Sequence, residues 1–145
     1  MEDTKKESNC PFCDINPEKT RILDGTGLSF AVLSNPALLK DHTLVVPKRH
    51  VEKISELTEE ELKDLLNLTI KMQSLILKKF IGCDIRQNYR PFIRQGRLKI
   101  DHMHFHLLPR ESEDELYKKS MIFERELFKD LTKEELNESQ KFLME

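Results

Sequence analysis

Apolar and polar positions change period along this chain, and each change marks an element. Between Arg21 and Val32 the apolar residues flank Asp24-Gly25-Thr26-Gly27, a turn-forming run, and the stretch predicts a β-hairpin. Asn35-Pro36 marks a further turn. Thr43 to Val46 is a short apolar run rich in β-branched residues, a buried strand that Pro47 is expected to stop. The period then lengthens. Leu62, Leu65, Leu66, Thr69, Met72, Gln73, Ile76 and Phe80 trace one face of a long helix. Thr58 and Glu61 form a capping box at its start, Leu57 and Leu62 a hydrophobic staple, and Gly82 sits where its C-terminal end is expected. Leu98 to Leu108 returns to strand-like alternation. A second capping box, Thr132 with Glu135, and the Leu131/Leu136 staple open a C-terminal helix running to about Phe142. There is no internal repeat or low-complexity tract, and the mixture predicts an α+β domain.

Composition narrows the function classes. The chain has 145 residues, 38% of them hydrophobic and 34% charged, enough for one core under a highly charged surface. No apolar run approaches the roughly 20 residues of a membrane span. Met1–Asn9 is polar, reads as a loose arm and lacks a secretory h-region, so a cytoplasmic location is expected. Of the three cysteines, Cys10 and Cys13 form a Cys-x-x-Cys pair suited to metal binding or redox work, and Cys83 reads as a small core residue. The net charge of −2 conceals a segregation. Ile85 to Arg110 holds six bases and one acid, a net of +5, and Glu111 onward holds eleven acids and six bases, a net of −5. A locally positive surface suits a phosphorylated ligand. The basic stretch is short and poor in aromatics, so no stable nucleic-acid partner is expected.

The five histidines supply the chemistry. His42 and His50 flank one strand, while His102, His104 and His106 alternate with Met103, Phe105 and Leu107. On a strand, residues two apart share a face, so the three imidazoles are expected in a row with the apolar residues turned to the core. Neighbours about 6–7 Å apart on one strand make a poor tetrahedral metal site, and at most one or two of the three could share an ion. A neutral imidazole is also a good nucleophile near neutral pH and can leave after accepting a phosphoryl-type group.

His102-Met-His104-Phe-His106-Leu-Leu resembles the His-φ-His-φ-His-φ-φ signature of the histidine-triad (HIT) superfamily, φ being apolar. Cys10-Pro-Phe-Cys13 is similar to the start of many members, and Asp41 to His50 resembles their second block; the likeness runs from about Asn9 to Arg110. It implies a HIT domain over residues 10–110 with an antiparallel sheet of about five strands, and leaves 111–145 as a helical extension packed on or beside it. It also implies a hydrolase acting at the α-phosphate of nucleoside phosphoramidates or dinucleoside polyphosphates. His104 would be the nucleophile and form a covalent nucleotidyl-histidine, with His106 on phosphate oxygens and His42 supporting the triad. His106 at the third position argues against a transferase, whose members resemble a Gln there. Cys10, Cys13, His50 and His102 match the ligands with which some members hold a structural zinc ion. A homodimer joined through the long helix and a strand is implied as well. The chain departs from the pattern at Gln95-Gly96-Arg97-Leu98-Lys99-Ile100, where many members carry Gly-Gln-Ser/Thr-Val, so Lys99 replaces the hydroxyl residue. Lys99, Arg97 and Asn35 are the expected substrate contacts. The acid that binds ribose in the family has no counterpart at Leu33 or Ser34. The competing reading is a nucleotide-binding or zinc-stabilised interaction module without strong turnover.

Overall fold

The computed structural model describes residues 9–145. All but one residue of the predicted N-terminal arm lies outside that range. The described chain falls into two compact units, one ending at Ser112 and the other spanning Glu113–Glu145.

The first unit is built on five strands: β1 (Ile22–Gly25), β2 (Ser29–Leu33), β3 (Thr43–Pro47), β4 (Gly82–Arg86) and β5 (Phe105–Arg110). They form an antiparallel sheet in the order β1-β2-β3-β5-β4. A single long helix, α1 (Glu59–Ile76), covers one face. Its start is the one the sequence predicts. The Thr58 side chain accepts from the Glu61 amide at 3.0 Å and the Glu61 carboxylate accepts from the Thr58 amide at 2.8 Å, which satisfies two otherwise orphaned donors. α1 buries Leu65, Leu68, Met72 and Ile76, which pack with Ala31, Val45, Val51, Met103, Phe105 and Leu107. On the opposite face Phe30, Val32, Leu44 and Val46 form a second cluster, flanked by Phe12 and Ile15. Strand alternation thus divides the sheet residues between two cores.

Four details differ from the sequence expectation. Leu66 is 43% exposed and Leu68 takes its place inside, because the helix phase is set by the Leu65–Leu68–Met72–Ile76 stripe. Gly82 is not a helix end but the first residue of β4, where a Cβ would stand 3.6 Å from that of Arg110. Pro47 ends β3 as expected but is itself the last strand residue, paired with Ser29, so the strand runs one residue longer than Thr43–Val46. The strand predicted over Leu98–Leu108 begins only at Phe105. Before it, the ladder has no partner: β4 ends at Arg86 opposite His106, and β3 pairs no further than Val45 with Phe105.

In the second unit, short helical turns (Tyr117–Met121, then α2, Ile122–Glu124, then Arg125–Leu127) precede α3, Lys133–Met144. Thr132 and Glu135 form the expected capping box, and α3 ends two residues beyond the predicted Phe142.

Candidate active site and metal corner

The segment between β4 and β5 carries the chemistry, and its conformation follows from side chains capturing backbone. His102 Nε2 lies 2.8 Å from the Pro47 carbonyl oxygen, and the Met103 amide donates to the Val51 carbonyl at 2.6 Å. His104 Nδ1 lies 2.6 Å from the carbonyl oxygen of His102. These bonds hold residues 102–104 against the chain leaving β3 without a ladder. The imidazoles therefore do not form the expected single row. His104 and His106 stay together, ring centroids 4.6 Å apart, while His102 turns to a separate corner. Phe12 stands edge-on to both His102 and His104, with centroids 5.8 and 5.0 Å away.

Protonation follows from the partners. A carbonyl only accepts, so His104 carries its proton on Nδ1 and keeps a lone pair on Nε2. The Leu38 amide donates to His42 Nδ1 at 3.1 Å, which leaves the His42 proton on Nε2. That N–H donates to His106 Nδ1 at 3.0 Å, so His106 keeps its own proton on Nε2. Burial pushes all three rings away from the imidazolium form. His42 is lowered from 6.5 to about 4 by burial and then by the charges of His104 and Arg86. His106 falls to about 3 through burial, then the neighbouring His104, His42, Arg86 and Arg90. His104 is lowered by burial against the opposing bond to His102. Neutral rings with fixed tautomers give one free lone pair and one N–H donor side by side.

These rings open onto a cleft of about 920 Å³. Phe12, Ile15, Val32, Leu33, Leu44 and Leu108 supply apolar wall, and Lys19, Arg86, Arg90 and Arg97 supply positive charge against Asp14 alone. Of the expected substrate contacts, Asn35 lines the cleft while its amide donates to the Lys19 carbonyl at 2.6 Å, and Arg97 lines it too. Lys99 does not: it pairs with Asp101 and borders a smaller cavity behind His104. Sequence reasoning missed Phe12 as a wall of the site, and it counted Arg86 only as surface charge. The placing of Arg86 needs the β4/β5 register, which no local pattern reports.

Cys10, Cys13, His50 and His102 meet in the separate corner, their ligand atoms all within 4.8 Å of one another. Cys10 Sγ is 3.2 Å and Cys13 Sγ 3.6 Å from His102 Nδ1, and Cys13 Sγ is 3.3 Å from His50 Nδ1. Tetrahedral zinc with its usual bonds to sulfur and nitrogen separates ligand atoms by about 3.5 Å. The donor set fits the ion. Because His102 Nε2 donates to the Pro47 carbonyl, its Nδ1 lone pair faces the thiols, as a ligand must. Burial, outweighing bonds from nearby amides, raises the Cys10 thiol to about 11. Such a thiol is a poor redox nucleophile and suits a structural ligand deprotonated by a metal.

Comparison with known proteins gives a consistent pattern. The model of the HIT domain family matches residues 16–113. An adenosine 5'-monophosphoramidase of Schizosaccharomyces pombe is 35% identical over 111 residues, 73% of this chain and 77% of that one. A bis(5'-adenosyl)-triphosphatase of Dictyostelium discoideum is 32% identical over 104 residues, 68% and 69% of the two chains. Among solved structures, a HIT-family protein of Bacillus subtilis superposes with a TM-score of 0.70 at 25% identity, covering 94% of this chain and 95% of that one.

Proposed function

The chain belongs to the histidine-triad family and is a nucleotide hydrolase of that family, and from this premise we propose that it cleaves at the α-phosphate through a covalent nucleotidyl-His104 intermediate. The observation that carries the proposal is the tautomer of His104: its Nδ1–H is held by the His102 carbonyl, which leaves Nε2 with a lone pair in a ring kept neutral by burial. In the first step His104 Nε2 bonds to the α-phosphorus as the bond to the leaving group breaks. In the second, water attacks phosphorus and releases the imidazole. His106 Nε2–H donates to a non-bridging phosphate oxygen, and the His42 Nε2–H bond fixes the ring in that role. Asn35 and Arg97 would meet substrate in the cleft. The relatives' names support both a phosphoramidate and a dinucleoside polyphosphate as substrates.

His104→Asn is expected to lower turnover by at least a thousandfold and to abolish a trapped nucleotidyl adduct detected by mass spectrometry, with the melting temperature held. Full turnover in that variant defeats the mechanism.

A zinc ion held by Cys10, Cys13, His50 and His102 would tie the Cys10–Cys13 knuckle to the segment bearing the nucleophile; its role is structural, with no position left for substrate. A cytoplasmic homodimer completes the reading. Leu66 and Ile70 on α1, Leu77 just past its end and Ile85 on the edge strand β4 are exposed apolar residues suited to a second copy. Light scattering at the monomer mass would remove the dimer.

A further inference from the structure

Directly opposed residues of neighbouring strands share a face of the sheet. Arg86 of β4 is opposite His106 of β5, His106 is opposite Leu44 of β3, and Leu44 is opposite Val32 of β2. One row across the sheet therefore reads Arg86, His106, Leu44, Val32, and all four line the cleft. Arg86 is half-buried beside the imidazoles, and its charge reaches both His42 and His106. Arg90, a few residues on, lines the same cleft and also acts on His106. Neither guanidinium has a carboxylate or any other hydrogen-bond partner among the described residues, whereas Arg49 and Arg110 are both paired. A half-buried, unneutralised guanidinium such as that of Arg86 next to buried, neutral rings is costly unless an anion completes it, and the exposed Arg90 adds a second positive charge at the cleft.

Building on the reading above, we propose that Arg86, seconded by Arg90, is a specificity-determining residue that binds a phosphate of the leaving group, so that the preferred substrates are those whose α-phosphate is bonded to further phosphate. A phosphoramidate carries a single negative charge, which His106 and one cation satisfy. A dinucleoside polyphosphate brings several. The chemistry of the leaving group points the same way. When the P–N bond of a phosphoramidate breaks, the electron pair stays on nitrogen, which must gain a proton. When a P–O bond to phosphate breaks, the pair stays on oxygen as added negative charge, and a nearby cation stabilises it without proton transfer. A guanidinium does not give up its proton, so Arg86 and Arg90 serve the second case. The cleft's two hydroxyls are already committed: Ser34 donates to the Pro36 carbonyl and Thr20 to the Leu33 carbonyl.

The test compares kcat/KM of the full chain for diadenosine tetraphosphate and for adenosine 5'-phosphoramidate, in wild type, Arg86→Ala, Arg86→Lys and Arg90→Ala. The wild type is expected to favour the tetraphosphate. Arg86→Ala should lower the tetraphosphate-to-phosphoramidate ratio by about ten- to a hundredfold, Arg86→Lys should restore part of it, and Arg90→Ala should lower it less. Added salt should slow the tetraphosphate reaction more in wild type than in Arg86→Ala. A wild type that favours the phosphoramidate, or an Arg86→Ala that slows both substrates equally or neither, overturns the inference. If the wild type turns over neither, the hydrolase mechanism has failed independently. Calorimetric binding of a methylene-bridged diadenosine tetraphosphate against AMP then decides the point, with loss of the tetraphosphate preference in Arg86→Ala supporting the clamp and an unchanged preference refuting it.

Discussion

Two carbonyls and an amide set the protonation pattern of this site at the scale of single residues. The Pro47 and His102 carbonyls and the Leu38 amide fix the tautomers of His102, His104 and His42, and His42 in turn fixes His106. Replacing His42 with Phe leaves His106 Nδ1 without its donor, and kcat is expected to fall about ten- to a hundredfold with KM changed little. Stability should carry the same signature. His42 and His106 have folded values near 4 and 3 against 6.5 in the unfolded chain, so the unfolded state takes up protons first as pH falls. The stabilisation is complete above about pH 6.5 and is lost between there and about pH 3. Urea midpoints should be flat above neutrality and drop on acidification, and His106→Gln should flatten that drop. The histidine types and their order were legible from sequence because the alternation is local. The tautomers were not, since they follow from the folded geometry: Pro47 reaches His102 and His42 reaches His106 across the fold, and even the short-range bonds from Leu38 and His102 depend on the local backbone path.

At the scale of elements, α1 holds the sheet and its start was readable to the residue, because a capping box is a four-residue signal. Thr58→Ala should cost about 1 kcal/mol in chemical denaturation. Its inner stripe was legible except at one step: Leu66 and Leu68 are both leucines, and composition alone does not choose between them. Leu68→Ala should cost about 2–5 kcal/mol, as expected for a cavity beside Met72 and Ile76. The overlong strand at Leu98–Leu108 failed for a different reason. Alternation in the sequence reports apolar and polar spacing and not backbone pairing, and the backbone of residues 102–104 bonds outside the ladder. The Arg49–Glu61 pair, with two contacts of 2.8 Å, ties the chain after β3 to the first turn of α1. It holds the Glu61 carboxyl down from 4.5 to about 2.

For the whole molecule, both constellations lie before Arg110, and the segregation of charge separates a basic stretch around the cleft from an acidic C-terminal segment. We propose that residues 10–110 carry the fold and the site, and a chain ending at Ser112 is expected to retain the far-ultraviolet signal and the His104-dependent turnover. Loss of both on truncation would assign 111–145 a structural part in the domain. Zinc uptake by the apo protein should release protons and strengthen as pH rises, because the Cys10 thiol starts protonated. Plasma emission analysis of untagged protein should find about one zinc per chain, and chelation should lower the melting temperature. The convergence of Cys10, Cys13, His50 and His102 was foreseeable only from the family resemblance, since three distant segments meet there.

His102 faces two ways. Its ring reaches toward the two thiols, while its main-chain oxygen accepts from the Nδ1–H of His104, the nucleophile proposed above. One residue thus works as a rivet between the Cys10–Cys13 corner and the ring proposed to attack the substrate. Damage to the cysteines should therefore surface as sluggish turnover of a substrate that still binds normally, a lesion read in the rate rather than in the affinity.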